Sequence, residues 1–308
     1  MVRIMRNRVG AVIATFVALT TILGQRPLTG QTAVPNYQLV QDWAKLPAGT
    51  QFGVMSAVAT DAKGSVYVFQ REPSKIMVFD ADGNYLKSWG DDEFPAAHGF
   101  RILNDGVIWL TDRKLQQALK YSLDGKLLQS LGKKGVAGDD TSEDAFNGVS
   151  DVAVASNGNL FVSDGEGGNS RVVQFSKDGK LMKFWGTKGS GPGQFDTPHS
   201  IAIDSKDRVY VADRGNKRIQ VFDQDGKLLT QMTQFGAPGA LFITKDDMLY
   251  CATSAGETPA INIGTVDGKV LTHLTGGLNG AHGITVDNRG SIYVAEVAGK
   301  ALLKFGKQ

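Results

Sequence analysis

Histidine is scarce in this chain, and three of its four positions share one setting. His98, His199 and His282 each stand two residues ahead of the first large apolar residue of an alternating run, in "HGFRIL", "HSIAID" and "HGITVD". A neutral imidazole is a common metal ligand near neutral pH. Three that meet at one point, with a fourth position open, form the donor set of a catalytic zinc centre. The fourth histidine, His273 in "KVLTHLTG", lies outside this setting and is expected at the surface. Arginine recurs just past other apolar runs, as Arg71 in "VFQREP", Arg113 in "LTDRKL" and Arg214 in "VADRGN". A guanidinium beside a metal could clamp a carboxylate or steady a developing oxyanion.

Whether these side chains meet depends on the elements that carry them. The clearest copies of a recurring unit are "VAVASNGNLFVSDGEGGNSRVVQFSKDGKLM" (152–182) and "IAIDSKDRVYVADRGNKRIQVFDQDGKLL" (201–229). Half-copies are "AVATDAKGSVYVFQ" (57–70) and "ITVDNRGSIYVAE" (284–296), with diverged copies at 101–128 and 241–254. Asp-Gly pairs at 82–83, 124–125, 178–179, 225–226 and 267–268 read as two-residue type I′ hairpin turns. Each unit then has four short strands, with apolar and polar residues alternating along each. Six such units predict an all-β fold, a six-bladed β-propeller. The last unit stops after three strands. "YQLVQDWA" (37–44) resembles the outer strands and is expected to complete that blade, closing the ring and hiding an edge.

Aligned on the innermost strand, the histidine position reads Ser56, His98, Ser150, His199, Gly239 and His282. The histidines fall in alternate blades, about 120° apart around the channel, and should converge on its axis. A second register, at the end of the second strand, reads Arg71, Arg113, Gly165, Arg214, Ser254 and Val297. It should share the histidines' rim, because strand one starts where strand two ends. Arg113 is read as a solvated loop residue. The loops 133–148 and 186–196 should overhang the same rim, as lid, wall or plain insertion.

Bulk properties narrow the function. With 33 basic and 31 acidic residues and no basic block beyond the N-terminus, no nucleic-acid partner is expected. A single cysteine, Cys251, rules out an internal disulfide and suits a small buried residue. Residues 1–33 read as a secretory signal or N-terminal anchor. Arg3, Arg6 and Arg8 precede an apolar stretch, Val9–Gly24, that is short for a span of about 20 residues. The chain is therefore expected to be exported, periplasmic or secreted, and to touch a membrane only if that segment is retained. Residues 34–308 are expected to form the propeller, as a monomer.

"FVSDGEGGNSRVVQFSKDGKLMKFWG", "GPGQFDTPHSIAID" and "VYVADRGNKRIQVF" resemble NHL-repeat propellers, and among them the peptidyl-α-hydroxyglycine α-amidating lyases. The resemblance spans roughly residues 50–305 and is strongest over 150–225. It implies zinc on His98, His199 and His282, and catalytic roles for Arg71 and Arg214. It also implies cleavage of a peptide's C-terminal α-hydroxyglycine to the amide and glyoxylate. The family's tyrosine base is replaced by Glu166, a candidate substitute. The aspartate that the family ties to a structural calcium is Gly283, which weakens calcium as a second cofactor. The other reading is a non-catalytic propeller that binds a protein, peptide or glycan. Sugar-lactonase propellers fit less well, since their metal is held mainly by carboxylate and amide groups.

Overall fold

A computed structural model describes residues 36–253 and 258–308. The expected signal or anchor, and Ser254 of the second register, lie outside the described residues. Among those described there is no helix, and twenty-four strands form six four-stranded sheets. The strand that opens the chain, β1 (Tyr37–Val40), belongs to the last blade. Blade 1 holds β2 (Val54–Thr60), β3 (Val66–Glu72), β4 (Ser74–Phe79) and β5 (Tyr85–Trp89). Blade 2 holds β6 (Ala97–Ile102), β7 (Val107–Asp112), β8 (Gln117–Ser122) and β9 (Leu127–Leu131). Blade 3 holds β10 (Val149–Val154), β11 (Leu160–Asp164), β12 (Arg171–Phe175) and β13 (Leu181–Trp185). Blade 4 holds β14 (Pro198–Ile203), β15 (Val209–Asp213), β16 (Arg218–Phe222) and β17 (Leu228–Met232). Blade 5 holds β18 (Pro238–Ile243), β19 (Met248–Thr253), β20 (Ala260–Thr265) and β21 (Val270–Thr275). Blade 6 holds β22 (Ala281–Val286), β23 (Ile292–Glu296) and β24 (Leu302–Lys307), and β1 pairs antiparallel with β24 as its outer strand.

Six apolar clusters fill the six gaps between neighbouring blades. This explains a departure from the expected alternation. β11, β12, β15 and β16 are buried at every position, because both faces of a middle strand meet another sheet. Exposure returns most on outer strands such as β9 and β17.

The Asp-Gly turns also differ from the expected type. Positive φ occurs at Gly83, Gly125, Gly179, Gly226 and Gly268 but not at the aspartates before them. In the first, Gly83 N–H donates to Asp80 O, and Asp80 Oδ1 accepts from the N–H groups of Asp82 and Asn84. The result is a turn followed by a left-handed glycine and a register shift in the pairing of β4 with β5. The Asp80 side chain, not that of Asp82, holds the turn, and only glycine adopts the positive φ.

Ring closure depends on more than β1. Trp43, just beyond it, is buried against Phe79 of blade 1 and Tyr293 of blade 6, with the Lys304 ammonium 4.9 Å from its ring centre. Trp43→Ala should therefore cost about 3–5 kcal/mol, read as a lower urea midpoint in unfolding followed by circular dichroism.

Candidate metal centre

Every inner strand carries an irregularity at the histidine register. The pairing of the first two strands shifts between Met55 and Ala57, Ala97 and Phe100, Val149 and Asp151, Pro198 and Ser200, Pro238 and Ala240, and Ala281 and Gly283. A bulge leaves a residue out of the ladder and re-aims its side chain. In the even blades that side chain is His98, His199 or His282. Their ring centres form a nearly equilateral triangle, 4.7, 4.8 and 4.8 Å apart, with ring planes inclined by 70–73°.

The odd blades supply the partners. Nδ1 of His98 lies 2.7 Å from Ser150 O, Nδ1 of His199 lies 2.5 Å from Gly239 O, and Nδ1 of His282 lies 2.7 Å from Ser56 O. A carbonyl oxygen only accepts, so each Nδ1 carries the proton and each Nε2 keeps a lone pair. Serine and glycine at this register thus serve through their backbones, a role their side chains do not announce. The possible ligand atoms of the trio all lie within 4.8 Å of one another. Nε2 of His98 and of His199 is buried with no hydrogen-bond partner among the described residues. Burial and neighbouring positive charge hold all three imidazoles well below the ordinary value of 6.5. Three neutral imidazoles with desolvated lone pairs fit a soft-to-borderline divalent cation such as zinc, and carbonyl-bound Nδ1 groups are the usual outer support.

The arginine register shares this rim. Arg113 N–H donates to Ala96 O and Arg214 N–H to Thr197 O, and Gly165 N–H and Glu166 N–H both donate to Gly148 O. Glycine is required where this last turn packs. A Cβ on Gly148, at φ +95°, would lie 2.0 Å from Gly167 N, and one on Gly165 would lie 2.3 Å from Pro198 Cδ. The tight turn carries Glu166 over the histidines, where its side chain is 11 % exposed. Arg113 Nη1 donates to Glu166 Oε2 at 2.6 Å and Arg214 Nη2 to Oε1 at 2.5 Å. The same oxygens lie 3.8 Å from Nε2 of His98 and 3.6 Å from Nε2 of His199. Arg113 is therefore part of the cluster rather than a solvated loop residue, because the Glu166 carboxylate gives it a buried counter-charge. Arg71 is placed differently. Its Nε donates to Ala97 O at 2.9 Å, while Nη2 is buried without a partner among the described residues. Burial and the neighbouring Arg113 lower its guanidinium below the ordinary arginine value. His273 sits exposed on outer strand β21, as expected, and Cys251 is buried.

Each long loop is tied to its blade by one arginine. Arg171, 1 % exposed, donates to the carbonyls of Asp140, Ser142 and Ala145 and to the Asp164 carboxylate. Arg218 does the same for the second loop, on the carbonyls of Ser190, Gly191 and Gln194 and on Asp213.

Behind the histidines the channel is nearly closed. Arg101 pairs with Asp151 and donates to Ile201 O at 3.1 Å and Ser200 Oγ at 3.3 Å, leaving a space of ≈ 20 Å³ under the trio. This pair was not anticipated from the sequence. Beyond it the channel widens to ≈ 780 Å³ toward the opposite mouth. Access to the histidines thus comes from the arginine side. Gly283 sits so close to blade 1 that a Cβ would lie 2.5 Å from Ala57 Cα, so an aspartate does not fit this packing.

The fold and the repeats define an NHL-repeat β-propeller. The NHL repeat model matches residues 146–175 and 195–222, the first three strands of blades 3 and 4 with their leading residues. Human NHL repeat-containing protein 3 is 33 % identical over 304 residues, covering 87 % of this chain and 84 % of that protein. The probable peptidyl-alpha-hydroxyglycine alpha-amidating lyase of Caenorhabditis elegans is 30 % identical over 246 residues, 74 % of this chain and 69 % of that one. The chain belongs to the NHL-repeat family that includes these two proteins. Among solved structures, a streptogramin B lyase superposes with a TM-score of 0.63 at 16 % identity, over 89 % of this chain and 98 % of its own. A gluconolactonase of Xanthomonas campestris gives 0.64 at 16 %, over 84 % and 87 %. At that identity these two share the fold.

Neutral buried histidines leave a signature in stability. Unfolded, each titrates near 6.5 and binds a proton that the metal-free fold refuses. Stability is thus intact above that pH and falls as pH drops through it toward the lowered folded-state values. The slope reaches up to about 1.4 kcal/mol per pH unit for each histidine. Urea unfolding of the metal-free protein at about pH 7.5 and about pH 5.5 should show this loss. A variant with His98→Gln, His199→Gln and His282→Gln should show a flatter profile.

Proposed function

We propose that this chain is an exported, metal-dependent propeller enzyme that cleaves the C–N bond of a peptidyl-α-hydroxyglycine or a similar carboxylated carbinolamide, releasing the amide and glyoxylate. The observation that carries the reading is the convergence of three proton-bearing Nδ1 groups on backbone carbonyls, which turns three bare Nε2 atoms onto one axial point. In this reading His98, His199 and His282 hold zinc. Bound there, zinc supplies a Lewis acid that makes a substrate hydroxyl more acidic.

The chain's own residues divide the remaining work. Arg71, with an unpartnered Nη2, receives the substrate carboxylate and orients it. Arg214 and Arg113 hold Glu166 at the mouth of the centre. Glu166 takes the proton of the α-hydroxyl as its carbon–oxygen bond becomes double and the C–N bond breaks, and returns a proton to the departing amide nitrogen. The pinned loops limit the approach to an extended peptide end or a small molecule. A monomer suffices, because the described part of one chain supplies every side chain named.

A non-catalytic binding propeller is the second reading. One observation favours it: a carboxylate already seated on two of the three arginines.

Metal analysis separates the two. The purified protein should carry zinc near one equivalent, and His199→Ala should lose most of it. Glyoxylate release from an α-hydroxyglycyl peptide should then fall by about 10²-fold in Arg71→Ala. A protein that takes up no metal after reconstitution with zinc leaves the binding propeller.

A further inference from the structure

We propose that Glu166 is a resident fourth ligand of the metal centre, held in place by Arg113 and Arg214 as positioning residues, and that an incoming carboxylate opens the site by displacing it. The inference rests on the metal reading above and concerns what fills the position left open by the histidines.

The distances are the first argument. Two ligands of a tetrahedral zinc, each bound at about 2.0–2.2 Å, stand about 3.4 Å apart. Glu166 Oε2 lies 3.8 Å from Nε2 of His98 and Oε1 lies 3.6 Å from Nε2 of His199, each within a few tenths of an ångström of that ligand-to-ligand separation. The carboxylate's setting is the second. Each oxygen accepts from one guanidinium and faces one imidazole, so neither is turned toward open solvent. The backbone is the third. Glu166 N–H is tied to Gly148 O at 2.7 Å, on a turn that admits no Cβ at Gly148 or Gly165. A carboxylate this buried needs opposite charge around it, and the two arginines and a cation would supply it together.

This arrangement gives the site a ligand class. A neutral or cationic ligand gains nothing from Arg113 and Arg214 and leaves Glu166 where it is. A small carboxylate, or the carboxylate of a peptide end, is drawn by the spare Nη2 of Arg71 and can take over the guanidinium contacts. Glu166, once displaced, becomes free to move a proton.

The test uses zinc affinity, by chelator competition, and the visible absorption of the cobalt-loaded protein titrated with acetate. Glu166→Ala and Glu166→Gln should each bind zinc at least about tenfold more weakly than the native chain. Acetate should shift the cobalt bands of Glu166→Ala at roughly tenfold lower concentration than those of the native protein. Arg113→Ala, which leaves the carboxylate present but loosely held, should respond between the two. Circular dichroism of the metal-free variants confirms that each is folded. Equal zinc affinity, or the same acetate response in native and Glu166→Ala proteins, overturns the fourth-ligand role and leaves the three-histidine centre standing. A native protein that takes up neither zinc nor cobalt overturns both.

Discussion

Three hydrogen bonds, from imidazole Nδ1 to the bulged carbonyl of the next blade, are the constraint on which this site depends. Each fixes a tautomer, a ring orientation and the spacing between two blades at once. Without them a histidine at the channel mouth could turn either nitrogen to the axis or swing out to water. With them, three lone pairs converge on one place, and those of His98 and His199 are buried without a partner at a desolvation cost of the order of 1–3 kcal/mol each, which a metal ion would offset. That cost makes the centre more than a by-product of packing, since apolar residues at the same register would fill the channel more cheaply.

The fold meets this constraint through its closure. The carbonyl that holds His282 is Ser56 O, and these two residues lie 226 positions apart in the sequence, in the last and first blades. Their spacing is set where blade 6 meets blade 1, by β1 on β24 and by Trp43 between Phe79 and Tyr293. A ring that opened there would free one of the three imidazoles first. The N-terminal strand is therefore linked to the chemistry of a site to which it contributes no side chain.

Electrostatics around the trio follow one pattern. Three guanidinium groups border three imidazoles, which favours the neutral form of each ring, and one carboxylate sits between them. Elsewhere arginine has a different task. Arg171 and Arg218 are pinned inside loops by carbonyls and by Asp164 and Asp213, so they act as struts. The same residue type in neighbouring registers thus divides between site and scaffold: Arg171 and Arg218 have a partner on every guanidinium nitrogen, while Arg71 keeps an unpartnered Nη2.

The sequence by itself determined the propeller, its six blades, its closure by 37–44 and the alternate spacing of the histidines, because these are written in periodic local patterns that any copy repeats. Its second register put Arg71, Arg113 and Arg214 on the histidines' rim, and the family resemblance pointed to Glu166. Only the tertiary structure decided the rest. Ser150, Gly239 and Ser56 act through carbonyls, and backbone atoms carry no residue-specific signal. Arg113 joined the site, and Arg101 with Asp151 plugged the channel, because their partners come from other blades 50 or more residues away. The Asp-Gly turns took positive φ only at glycine, and the side chain three residues before each glycine (Asp80, Ser122, Ser176, Asp223 and Thr265) accepts from the turn's own N–H groups. Periodicity is local and survives in one dimension, whereas the partner of a charge is fixed only when the ring closes.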